Sequence, residues 1–128
     1  MLPPPAAPRA HVLVVDDDAG VRGVCTSLFH ALGYRADAAS SGRSALEVLT
    51  STGQPVSLIL LDLEMPDMRG DEVMRAIKMI SPAVRVLLMS GRPSNDLRSY
   101  LNAGADGVLR KPFGLRDLDD SVGAALRS

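Results

Sequence analysis

Five times along this chain, a short and nearly unbroken apolar run gives way to a longer segment whose apolar residues return at helical spacing. His11–Val15 is the first run, and it stops abruptly at Asp16-Asp17-Asp18. Val21, Val24, Cys25, Leu28 and Leu32 then mark a helix that Gly33 fits as a stop. Residues 34–39 form a weaker strand candidate, and Ser40 or Ser41 is placed to cap a helix carrying Ala45, Leu46 and Leu49. The clearest buried strand is 57–61, again terminated by an aspartate, Asp62. After a loop over 64–70, a third helix carries Val73, Ile77 and Ile80 and stops before Pro82. Residues 84–89 predict a fourth strand leading into Ser90-Gly91, and Leu97, Tyr100 and Leu101 mark a helix ending near Gly104. A short fifth strand, Gly107–Arg110, runs into Lys111-Pro112, and Leu115, Leu118, Val122 and Leu126 line a final helix.

Apolar runs alternating with helices demand a parallel sheet covered on both faces, the α/β class. Right-handed crossovers place every strand C-terminus along one edge, where open sheets of this kind bind ligands. The polar residues that interrupt the pattern follow four different strands. Asp16 and Asp17 follow the first, Asp62 the third, Ser90 the fourth and Lys111 the fifth. The fold pattern therefore gathers them before any function is assumed.

A chain of 128 residues is one domain's worth and buries a core without disulfide or metal staples. Residues 1–10, rich in Pro and Ala, read as a flexible lead-in, and 11–128 as the domain. With 3% aromatic residues and no Trp, the interior falls to Val, Leu, Ile, Met and Ala. A net charge of −1 gives no general attraction to nucleic acid, so direct binding to it is not expected. The start lacks the apolar core of a signal peptide, and no stretch approaches the roughly 20 apolar residues of a membrane span. A soluble, cytoplasmic protein with no membrane insertion is the expectation. Cys25, the only cysteine, sits among apolar residues and reads as a small buried hydrophobe. His30 lies off the apolar stripe and His11 begins a strand, so neither reads as a phosphoryl donor.

Clustered carboxylates repel one another unless a cation compensates them. Oxygen-only ligands point to a hard cation, and Mg²⁺ suits a site that keeps water and phosphate oxygens. A carboxylate such as Asp62 can serve as a covalent nucleophile toward phosphorus. A lysine, Lys111, is placed to neutralise charge on the transferring group, and Ser90 to donate a hydrogen bond to it. Taken singly each residue has a plain reading, since acidic runs at strand-to-helix junctions often only cap, as Asp18 is expected to do.

Four stretches together resemble the response-regulator receiver domain of two-component signalling, the CheY-like family. They are Val-Leu-Val-Val-Asp-Asp-Asp (12–18), Leu-Ile-Leu-Leu-Asp-Leu-Glu-Met-Pro-Asp-Met-Arg-Gly (58–70), Val-Leu-Leu-Met-Ser-Gly (86–91) and Gly-Ala-Asp-Gly-Val-Leu-Arg-Lys-Pro-Phe (104–113). The resemblance implies the flavodoxin-like strand order 2-1-3-4-5, which sets Asp16 and Asp17 beside Asp62. It implies phosphorylation of Asp62, and Mg²⁺ held by Asp16, Asp17, Asp62 and the backbone carbonyl of Glu64. Ser90 takes the switch hydroxyl position, and Lys111, followed by a Pro112 bond that is often cis in the family, contacts the phosphoryl group. The implied partners are a histidine kinase or a His-containing phosphotransfer protein as donor, and a downstream protein docking on the last two helices and last strand. A homodimer is a further possibility.

The chain also departs from the family. Val108 stands where an aromatic usually reports the phosphorylated state, and a small β-branched side chain cannot swing in that way. Gly91 replaces a common alanine, and Glu64 and Arg92 occupy variable positions bordering the reaction path. Three alternatives stay open on sequence alone. They are the receiver of a hybrid histidine kinase in a phosphorelay, a partner-binding module indifferent to phosphate, and a small Mg²⁺-dependent phosphatase. Glu64 counts against the last, because such enzymes commonly carry an acid/base aspartate at that position.

Overall fold

The computed structural model describes residues 9–51, 55–66, 69–91 and 97–127. Each apolar run becomes a strand and each helical-period segment a helix. The order is β1 (His11–Val15), α1 (Ala19–Ala31), β2 (Arg35–Ala39), α2 (Gly42–Ser51), β3 (Leu58–Asp62), α3 (Gly70–Ile80), β4 (Arg85–Ser90), α4 (Leu97–Asn102), β5 (Gly107–Arg110) and α5 (Leu115–Arg127). All strands pair parallel in the order β2-β1-β3-β4-β5. This is the flavodoxin-like arrangement that the sequence implied.

Side chains alternate across the sheet, so β1 sends Val12 and Val14 to one face and Leu13 and Val15 to the other. The first face is closed by Cys25 and Phe29 of α1 and by Leu118, Val122 and Ala125 of α5. The second is closed by Ala45 of α2 and by Val73, Met74 and Ile77 of α3. β1, β3 and all of β4 beyond Arg85 are buried along their length, as strands covered on both sides must be. β2 is one of the two edge strands, and its exposed Arg35, Asp37 and Ala38 explain its weak apolar signal.

The structure corrects the helix faces more than the element order. In α1 the buried pair is Cys25 and Phe29, one turn apart, while Val24 is 60% exposed. Val24 is offset from Cys25 by about 100° of helix rotation, and the helix is turned so that Cys25 and Phe29, not Val24, meet the sheet. Ile80, Leu101 and Leu115 also sit on exposed helix flanks. β3 and β4 each run one residue further than the apolar pattern suggests, because Asp62 pairs with Met89 and Ser90 with Arg110. Gly33 and Gly104 end helices at positive φ, a conformation that costs a glycine little.

Of the lead-in, Arg9 and Ala10 are described. The Arg9 guanidinium lies 4.6 Å over the Tyr34 ring and 3.5 Å from Asp119 of α5. At the N-terminal edge of the sheet, His11 and Asp37 meet across β1 and β2 at 2.6 Å. On the same edge, Asp106 joins three elements. Its Oδ2 accepts from Val86 N at 2.8 Å and from Lys78 Nζ at 3.3 Å, and its Oδ1 lies 3.6 Å from Arg85.

Removing the Asp106 carboxylate strands the N–H of fully buried Val86, a loss of about 1–3 kcal/mol. Asp106→Ala is expected to lower the urea midpoint accordingly, and Asp106→Asn, which keeps an acceptor, to lower it less. Equal midpoints for wild type and Asp106→Ala would show that the network carries no stability.

Candidate functional site

Asp16 leaves the end of β1, Asp62 closes β3, Ser90 closes β4 and Lys111 follows β5, so the C-terminal edge of the sheet collects all four. Asp16 is 1% exposed, Asp62 3% and Ser90 5%, whereas Asp17 faces solvent. One carboxylate oxygen from each of Asp16, Asp17 and Asp62 lies within 4.8 Å of the others. Lys111 Nζ reaches into this group, 3.3 Å from Asp16 Oδ2 and 3.5 Å from Asp62 Oδ1.

The local backbone explains how these side chains are held. Asp16 N donates to Ala39 O at 3.1 Å, and Asp16 Oδ1 accepts from Asp18 N at 2.9 Å. Asp18 caps α1 as expected, its Oδ1 accepting from Gly20 N at 2.7 Å and Val21 N at 3.2 Å. Beyond Asp62 the chain turns back, so that Glu64 N donates to Asp62 Oδ1 at 3.1 Å. Lys111 N donates to Ser90 O at 2.9 Å, extending the β4–β5 ladder to the lysine itself, and the Lys111–Pro112 peptide is cis.

Three carboxylates against one ammonium leave this pocket with an excess of negative charge. Burial works to lower the Lys111 pKa, but the charges of Asp62 and Asp16 and their hydrogen bonds outweigh it and hold the ammonium above its ordinary value. The same field reaches Cys25 on α1. Burial, reinforced by Asp16 and partly offset by Lys111, pushes that thiol up to about 11. An oxygen-only donor set with surplus negative charge fits a hard divalent cation.

The structure thus brings together Asp16, Asp17, Asp62, Ser90 and Lys111. Glu64 adds a contact that the sequence did not suggest: its Oε1 accepts from Gly91 N at 3.3 Å, linking the loops after β3 and β4. Arg92 lies outside the described residues. Val108 is partly buried on the α2–α3 face, paired with Leu88. The aromatic ring on that side comes from α4 instead. Tyr100 packs so closely on Gly70 that a Cβ there would meet Tyr100 Cε1, and also Leu63 Cδ2, at 3.0 Å. Sequence reasoning also passed over Arg22, whose Nη1 donates to the Asp16 carbonyl at 2.8 Å. An arginine one turn into a helix reads as a solvated charge, and nothing in the spacing marks it otherwise.

The family model for the response regulator receiver domain matches residues 12–123. The chain belongs to that family. Sporulation initiation phosphotransferase F of Bacillus subtilis is 31% identical, over 87% of this chain and 89% of that protein. The alkaline phosphatase synthesis transcriptional regulatory protein SphR of Synechococcus elongatus is 32% identical over 99% of this chain, which spans 52% of SphR. Sensor kinase CckA of Brucella abortus is 32% identical over 88% of this chain, which there matches 12% of the protein. Among solved structures, Vibrio cholerae chemotaxis protein CheY4 superimposes with a TM-score of 0.84 at 28% identity, covering 91% of this chain and 98% of that one. The protein is a receiver domain of the two-component type, and among its described residues no helix is long and apolar enough to cross a membrane.

The Cys25 thiol gives this receiver a measurable signature. The folded chain binds that proton more tightly than the unfolded one. The stability this contributes is complete below the ordinary value of 9.0 and is lost as pH rises through about 11. Urea midpoints are expected to fall across that window more steeply for wild type than for Cys25→Ala. Parallel curves would show that the thiol is not shielded.

Proposed function

We propose that Asp62 is the phosphoacceptor of this receiver, taking a phosphoryl group from the histidine of a kinase or phosphotransfer protein. The observation that carries the reading is the seat of the Lys111 ammonium between Asp16 and Asp62, inside a cluster that Asp17 completes. In the transfer, an Asp62 carboxylate oxygen attacks phosphorus as the donor's P–N bond breaks, and the electron pair stays with the imidazole nitrogen. Lys111 balances negative charge on the transferred group, and Ser90 supplies a hydroxyl donor from the end of β4. Asp16, Asp17 and Asp62, with the backbone carbonyl of Glu64, would hold Mg²⁺. Bound there, the cation supplies neutralisation of the phosphoryl oxygens.

The chain acts as an acceptor, with slow loss of its own phosphoryl group, and not as a turnover catalyst. Residues 11–128 form the receiver unit in this reading. An apolar groove lined by Val21, Val24, Cys25, Pro112 and Phe113 adjoins Lys111 and supports docking of the donor beside the site. The face of α4, β5 and α5 serves the downstream protein, or a second copy in a homodimer. Action in the cytoplasm, without direct contact to nucleic acid, follows from the same reading.

Treatment with a small phosphodonor and Mg²⁺ is expected to add one phosphoryl mass to wild type and none to Asp62→Ala. Lys111→Met is expected to slow labelling at least about tenfold. Undiminished labelling of Asp62→Ala would remove Asp62 from the role.

A further inference from the structure

Asp16 is held at every polar atom: its N by Ala39, its Oδ1 by Asp18, its Oδ2 by Lys111 and its carbonyl oxygen by Arg22. Asp17 is not. Among the described residues no hydrogen bond reaches the Asp17 carboxylate, and it is the exposed member of the acidic cluster. Its placement is inherited from the backbone on either side.

The carbonyl that Arg22 grips belongs to the peptide joining Asp16 to Asp17. A peptide is a rigid plane, so fixing its C=O fixes the direction in which the Asp17 Cα leaves it. Arg22 is itself anchored, because its backbone N donates to Asp18 O at 3.0 Å in the first turn of α1. That turn is capped by the Asp18 carboxylate, so the arginine and the acidic loop form one closed unit. Among the described residues the guanidinium is paired with no carboxylate, and the Asp16 carbonyl, at 2.8 Å, is what it holds.

We infer that Arg22 is a positioning residue for divalent-cation binding, setting the Asp16–Asp17 peptide so that Asp17 faces Asp16 and Asp62. The inference rests on the reading of Asp16, Asp17 and Asp62 as the cation site. Two physical effects of Arg22 oppose each other there. Its positive charge repels an incoming cation, so deleting the charge alone tightens binding. Its hydrogen bond removes freedom from the peptide that carries Asp17, so deleting the bond weakens binding. The sign of the change in affinity therefore separates a positioning role from a purely electrostatic one.

The test is Mg²⁺ binding to the full chain by titration calorimetry, without phosphodonor, beside a urea unfolding curve for each variant. Arg22→Met is expected to weaken Mg²⁺ binding about tenfold, the low end for loss of a group that orients a metal ligand. Arg22→Lys, which keeps a donor within reach of the carbonyl, is expected to recover most of that loss. The Mg²⁺ concentration for half-maximal labelling should move in parallel, with the labelling rate at saturating Mg²⁺ within about threefold of wild type. Mg²⁺ binding by Arg22→Met as tight as wild type, or tighter, overturns the inference, and so does an Arg22→Lys variant as weak as Arg22→Met. Should the Met variant lose cooperative unfolding, Arg22→Leu, which likewise lacks both charge and donor, applies the same sign test. Asp17→Asn and Asp62→Asn examine the underlying reading separately: undiminished Mg²⁺ binding by both means that the cation site itself is misplaced, whatever Arg22 does.

Discussion

The register of the parallel ladder is the constraint from which the site follows. Val15 pairs with Leu61, so the residues one step further along, Asp16 and Asp62, emerge side by side. Asp62 in turn pairs with Met89, which places Ser90 one step beyond, and Ser90 pairs with Arg110, which places Lys111 one step beyond that. Asp62 and Ser90 are the last members of their strands, Asp16 and Lys111 come just after theirs, and Asp17 follows Asp16. A slip of one residue between any two strands would turn the apolar set of one strand toward the wrong face. The requirement that Leu13, Ile59 and Leu88 meet on one face, and Val14, Leu60 and Met89 on the other, is thus also what aligns the chemistry.

Packing carries a conflict along with it. The same burial that fixes Asp16 and Asp62 strips them of water, and among the described residues only Lys111 answers their charge directly. Ions withdrawn from solvent in this way are held by hydrogen bonds and a partner charge or not at all. Here the bonds come from the backbone amides of Asp18 and Glu64, so the loops after β1 and β3 are shaped around the acids they carry. The Cys25 pKa behind the site is raised first by burial, with the Asp16 charge adding to it and Lys111 partly offsetting it.

Much of this was legible in the chain. The βα alternation, the buried strands and the aspartates that end them are local patterns, and they gave the element order and the sheet edge. The neighbour relation of β1 and β3 is not local, and came from resemblance to the receiver family, not from periodicity. Helix faces were read less well. In α1, Val24 and Cys25 are both apolar neighbours, and only contact with Leu58, Leu60 and their neighbours on the sheet decides that Cys25 and Phe29 go inside. β2 was faint because an edge strand has no need of a continuous apolar run. Arg22 was invisible for a different reason. Its role lies in a hydrogen bond to a backbone carbonyl, and a backbone atom has no letter in the sequence.

The two edges of the sheet have been treated differently by the same chain. At the C-terminal edge, acids outnumber the lysine among the described residues; at the N-terminal edge, Asp106 is met by Lys78, Arg85 and the amide of Val86. One pole of the molecule is electrostatically unfinished and the other is closed on itself. Asp62 is tied to the loop after β3 through the amide of Glu64, while β4 and the approach to β5 are clamped at their far ends by the Asp106 network.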